Sequence, residues 1–411
     1  MADKLGLSYY LPEKAVPRTV IRIPGSHTIY IGPLSCTRRH FIHNVQYSSL
    51  RDFSSLFITE ADVASGHYED VITESISTLC SVLDPVPHIF ILEFFCIDDF
   101  IGTDEAALLQ KLKQAFPDKH FAADHINPVS MNEPTNLGMR KHIDFYSFIE
   151  PSGRDNGINF LGNFVSLDPD CELLSLLKEW GYGPVRELFN CKTYEEYQMM
   201  GRSRMTIVFR NTGINFNAHH LRDKIGIPEF YFPNVFDAEQ VAGHYNELAS
   251  ALGCTSPDFS EEIDAVGQDV ANTLSLIGDI PIAVDCGASL TPFSTALALL
   301  GYGFNIRYIF KSNSPRKTDP EEEKIILEEH SAIIVSRTAD YNNLFGDQRK
   351  TACLAIGQDS ARILQTNHYV NMWHDEGHFG FHGIHKLMRE IREAYETEQD
   401  WSKIPEKRSK K

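Results

Sequence analysis

The chain has 411 residues, 42% of them hydrophobic and 23% charged, the composition of a folded protein too long for one ordinary core, so two or three domains are expected. A formal net charge of -18 argues against a general binder of nucleic acid or of anionic membranes. No apolar run reaches the roughly 20 residues of a membrane-spanning helix, no basic-then-apolar leader opens the chain, and eight dispersed cysteines make no disulfide framework. A cytoplasmic protein with free thiols is expected.

Short β-branched and apolar runs alternate with helical patterns three times, which predicts α/β units with parallel sheets. The first unit carries a strand near Thr28–Ile31, the run His88–Phe95, a helix from Thr103 to about Phe116 and a short strand at His120–Ala123. The second opens at Gly157-Ile158-Asn159-Phe160-Leu161-Gly162 as a strand into a turn, followed by a helix at Asp170–Trp180 and a strand at Met205–Phe209. A helix at Phe216–Lys224 is stopped by Gly226, and an amphipathic helix at Asp237–Leu252 by Gly253. The third begins near Asp279, with strands at Ile280–Val284, Ile306–Phe310, Ala332–Ser336 and Ala352–Ile356. Helices are predicted there at Leu290–Leu300, after Asp319-Pro320, and at Ile384–Thr397. No repeat is visible in the sequence, yet the three units are candidates for structural echoes of one another.

Two stretches combine a cysteine with the end of a predicted strand: Gly32-Pro33-Leu34-Ser35-Cys36, and Cys96-Ile97-Asp98-Asp99-Phe100-Ile101-Gly102-Thr103-Asp104. Open parallel sheets present ligands at the carboxyl ends of their strands. Between them lies Thr59-Glu60-Ala61-Asp62, followed by Gly66. Taken alone, either cysteine is a small buried residue. In this company they resemble the first domain of the nitrogenase component 1 family, which includes the nitrogenase catalytic subunits, their cofactor-assembly scaffold and the dark-operative protochlorophyllide reductase. Asn159-Phe160-Leu161-Gly162-Asn163-Phe164 resembles that family's opening of the second domain, and Gly380-Phe381-His382-Gly383 its glycine-rich turn before the last helix.

The resemblance implies three Rossmann-like, doubly wound α/β domains around a central cleft: 1–151 with the Cys36/Cys96 site, 152–275, and 276–411 with a histidine-rich turn. It also implies an iron–sulfur cluster, of 4Fe–4S type, held between two subunits that each give three cysteines. Cys36 matches the second of these and Cys96 the third; the first has no counterpart, because no cysteine precedes Cys36. Two cysteines from each protomer of a homodimer would complete a four-thiolate set; a paralogous second subunit is the other source. Thr37-Arg38-Arg39-His40 follows the first cysteine, as cations that stabilise a thiolate or as an exposed turn. The chain has no phosphate loop, and family members take electrons from a separate ATP-dependent iron-protein reductase, so such a partner is expected.

The family's larger cofactor is held by a cysteine and a histidine. Aligned here, those positions fall near Arg210-Asn211 and at Phe379, so dinitrogen reduction is not expected. The run His374-Asp375-Glu376-Gly377-His378-Phe379-Gly380-Phe381-His382-Gly383-Ile384-His385 offers Asp375, His378 and His382 as acid–base groups or metal ligands, although its three glycines argue against a regular helix. His219-His220 is a weaker proton-donor candidate, and Cys286, ending a strand, a weaker thiol. The function expected is a nitrogenase-like oxidoreductase component relaying electrons through the cluster to a substrate in the cleft. The alternatives are a metallocluster scaffold and a mononuclear-metal enzyme on the same fold.

Overall fold

The structure is a computed structural model describing residues 23–37, 52–126, 144–163, 165–209, 219–312, 319–338 and 352–403. The basic stretch 38–40, positions 210–211 and the tail beyond residue 403 lie outside the described residues.

Three all-parallel sheets form among the described residues. The first holds β1 (Ser26–Gly32), β2 (Phe53–Phe57), β3 (Ile89–Phe95) and β4 (His120–Ile126) in the order β2-β1-β3-β4. The second holds β5 (Ile158–Leu161), β6 (Val185–Arg186), β7 (Met205–Val208) and β8 (Glu229–Tyr231) in the order β6-β5-β7-β8, the same winding as the first. The third, from β9 (Ile282–Asp285), β10 (Ile306–Lys311), β11 (Ile334–Arg337), β12 (Leu354–Ile356) and β13 (Tyr369–Val370), runs β11-β10-β9-β12-β13. In each sheet the chain winds outward from its first strand and then crosses to the other side. That crossing leaves a crevice at the strand ends between β1 and β3, β5 and β7, and β9 and β12.

The central strands are apolar because both their faces are covered. In β3, Phe90, Leu92 and Phe94 pack under the helices Tyr68–Val82 and Glu105–Ala115, while Ile89 and Ile91 join a core with Leu161, Leu221 and Ile227 of the second unit. A larger core runs without a break from the second sheet (Phe160, Ile207) to the third (Ile282, Val284, Ile309), through the helices Ala238–Leu252, Ser260–Ile277 and Gly380–Glu396.

Capping sets the helix ends. Thr59 and Asp62 form a reciprocal capping box on the helix Glu60–Ala64, so the Thr-Glu-Ala-Asp stretch is a helix start. Asp237 caps Ala238–Leu252, which Gly253 ends in a left-handed conformation. The closing helix differs from expectation: it begins at Gly380, not Ile384, so the glycine-rich stretch is its first turn. Gly383 is there because a Cβ would run into the backbone of His378. Of the helix expected at Phe216–Lys224, positions 216–218 lie outside the described residues, and Leu221–Ile225 is a π-helical turn ended by Gly226. The sequence reading contains neither Ser260–Ile277, although its apolar positions at Ile263, Val266, Val270 and Ile277 have helical spacing, nor β2, whose centre is Ser54-Ser55.

Candidate functional site: a thiol pair at the first crevice

β1 ends at Gly32, where a Cβ would sit 3.0 Å from the Phe95 side chain of β3, so glycine lets the two strand ends close up without displacing that ring. Pro33 then starts a turn in which the Cys36 N–H donates to the Pro33 carbonyl at 2.9 Å. Cys96 follows Phe95 directly and opens the short helix Cys96–Ile101, which Gly102 ends at φ +73°. Both cysteines therefore flank the β1/β3 crevice, and both are partly exposed. Their thiols are neighbours. Burial pushes the Cys96 thiol above its ordinary value, and the adjacent Cys36 thiol pushes it further. A cation bound between the two sulfurs would reverse that repulsion.

The acidic run after Cys96 is a clamp. Asp98 is buried and accepts from the Tyr68 hydroxyl at 2.9 Å and from Thr103 Oγ1 at 2.6 Å, fixing the short helix to its neighbour. His125, at the end of β4, sits between carboxylates, 3.1 Å from Asp99 and 3.0 Å from Glu105. Asp104 caps the next helix by accepting from the Ala107 N–H at 3.0 Å. The sequence reading missed Tyr68 and His125, because partners about 30 positions away leave no local signal. The segments that carry the thiols or end beside them expose four apolar side chains, Leu34, Phe57, Phe100 and Ile101, with Phe100 at 80%.

An iron–sulfur cluster takes four thiolates as a rule. Cys36 and Cys96 fit as two donors from one side, and among the described residues no group of three or more histidines, cysteines or carboxylates could hold a metal ion. The donor set offered by one described chain is half of what the cluster needs.

The histidine-rich stretch is spread over separate partners. His374 and Asp375 both adopt left-handed conformations, at φ 46° and 59°, and their N–H groups donate to Gly287 and Ala288 after β9. Asp375 also accepts from the Leu290 N–H at 3.1 Å. His378 is buried, with Nε2 2.8 Å from Glu390. His382 faces Asp168 at 3.3 Å, and His385 faces Asp269 at 3.0 Å. His378, His382 and Asp375 thus each bind a different element. Phe379 lies between Phe209 and Phe232, with ring centroids at 4.8 and 4.9 Å, inside the core. His220 donates its N–H to Asp144 and its ring contacts the Ile149 carbonyl at 2.8 Å. Cys286 is partly exposed at the end of β9, while Cys171 and Cys353 are buried, which pushes both of their thiols up.

No curated protein sequence matches this one. Among solved structures, the chain is similar to one described as nitrogenase Cp1 at pH 6.5, with 15% identity, a TM-score of 0.66, and 91% of this chain and 89% of that one covered. A second, nitrogenase Cp1 at pH 5, gives 15% identity and a TM-score of 0.60, over 93% of this chain and 87% of that one. At such identity the likeness speaks for the fold. The family profile described as nitrogenase component 1 type oxidoreductase matches residues 12–395, nearly the whole sequence, and the chain belongs to that family.

Proposed function

We propose that this protein is the electron-accepting component of a nitrogenase-like reductase. In this reading Cys36 and Cys96 hold one side of a 4Fe–4S cluster, and the same two cysteines of a second copy hold the other. The cluster would supply one-electron storage between a separate ATP-dependent iron-protein reductase and an organic substrate in the inter-domain cleft. The observation that carries the reading is the meeting of the two thiols at the β1/β3 crevice. The apolar rim of Leu34, Phe57, Phe100 and Ile101 supports a subunit seated over them. Phe379, packed in the aromatic core at the position of the family's cofactor histidine, supports a substrate other than dinitrogen.

The test is iron and acid-labile sulfide on protein purified without oxygen, with its mass in solution. About four iron and four sulfide per dimer are expected, and Cys36→Ser or Cys96→Ser should remove them while the fold remains. Wild-type protein free of iron, or a serine variant with full iron and sulfide, would overturn the reading.

A further inference from the structure

A polar row crosses the first sheet just beneath the thiol pair. Residues at the same register on parallel strands share a face. Tyr30 of β1 registers with Ser55 of β2 and Glu93 of β3, and Glu93 with Asp124 of β4. The row lies on the face that Ile89 and Ile91 turn to the second unit, and Phe95, two residues above Glu93, packs with Tyr30, Phe53 and Cys36. Below the row β3 gives this face Ile91 and Ile89; above it are the two cysteines.

Two members of the row are unsatisfied. Ser55 Oγ is buried without a hydrogen-bond partner among the described residues. Glu93 is largely buried, and no hydrogen bond or cation meets its carboxyl group among the described residues; what faces it is Asp124. A buried acid without a donor and beside a second acid is far from its solution state. Cys96 is three residues further along, about 10 Å at the rise of a strand.

We propose that Glu93 is the proton store of the Cys36–Cys96 site at alkaline pH, taking one proton from water when that site gains one electron and returning it when the electron leaves. The inference rests on the redox reading above; the electron comes from a low-potential one-electron donor, and the proton balances its charge. Burial, then Asp124, pushes Glu93 up to about 8. Among the described residues Asp124 is the charged group that faces it; Tyr30 registers beside it on β1, and burial keeps the phenols of Tyr146 and Tyr197, in the core toward the second unit, neutral. An electron arriving about three residues away raises the carboxyl further. Reduction therefore draws in a proton above pH of about 8, where the oxidised site leaves Glu93 ionised.

Two measurements test this. In infrared pH titrations of the full-length apoprotein, a protonated carboxyl band should persist at neutral pH and vanish with a midpoint near 8. Glu93→Gln should lose this component and keep that of Asp285, another acid raised by burial, and the Glu93 midpoint should move down in Asp124→Asn. A Glu93 already ionised at neutral pH overturns the proposal. In cluster-loaded protein reduced with dithionite, the reduction equilibrium constant should fall about tenfold per pH unit above the Glu93 midpoint in wild type and stay flat in Glu93→Gln. Equal slopes in the two proteins overturn it. Protein that binds no iron overturns the redox reading and the coupling with it, whereas the infrared result reports on Glu93 alone.

Discussion

Asp285 ends β9 with both oxygens committed: one accepts from the Gly287 and Ala288 N–H groups at 2.9 and 2.8 Å, the other from the Ser360 N–H and hydroxyl, both at 2.7 Å. Burial and the neighbouring Asp359 push the group up to about 7, against the pull of those donors. An asparagine would set its own N–H₂ against one of these donor pairs, so Asp285→Asn should cost about 2–3 kcal/mol, read from urea unfolding. Glu93 gives stability an unusual pH slope. Its folded value, about 8, lies above the ordinary 4.5, so between these two pH values the folded chain keeps a proton that the unfolded chain has lost. Stability should therefore fall as pH rises through that window. Glu93→Gln should flatten the fall, which melting temperatures measured across it would show. Neither effect is legible in the sequence. Asp285 and Ser360 lie 75 positions apart, and Glu93 and Asp124 meet only through strand register.

The elements were more legible than their ends. Parallel strands such as Ile89–Phe95 declare themselves because a strand covered on both faces is a nearly continuous apolar run, here broken only by Glu93. The closing helix was blurred by its glycines, which read as a turn when only helix propensity is weighed. Their role is close approach. At Gly383 a Cβ would meet the His378 backbone, so Gly383→Ala should cost about 1–3 kcal/mol, the range of overpacked sites. At Gly267, in the helix Ser260–Ile277, a Cβ would have no other atom within 4 Å. There the same substitution should raise stability by about 0.4–1 kcal/mol through the unfolded chain. Paired chemical denaturation of the two alanine variants checks both signs at once.

At the scale of the whole molecule, three units with parallel sheets follow from alternating strand and helix patterns, but the strand order within them and the way they pack on one another do not. Cys36 and Cys96 were singled out from the sequence by their motifs, yet their meeting depends on β1 and β3 being adjacent with the crossing between them. The exposed rim around them had no sequence signal, since an apolar residue on a surface looks like one in a core. Leu34, Phe57 and Phe100 lie at the ends of β1 and β2 and in the helix after β3, so one flat partner could cover all three together with both thiols. If a second copy is that partner, a charge in the rim must break the dimer and empty the site without touching a sulfur. Phe100→Glu, at the most exposed of these positions, leaves the core intact, so its melting temperature should stay within a few degrees of wild type. In solution it should be a monomer, with iron and sulfide lost as completely as in Cys96→Ser. A monomer that keeps its cluster would mean that one chain supplies the whole ligand set, and a dimer that keeps it would move the interface elsewhere.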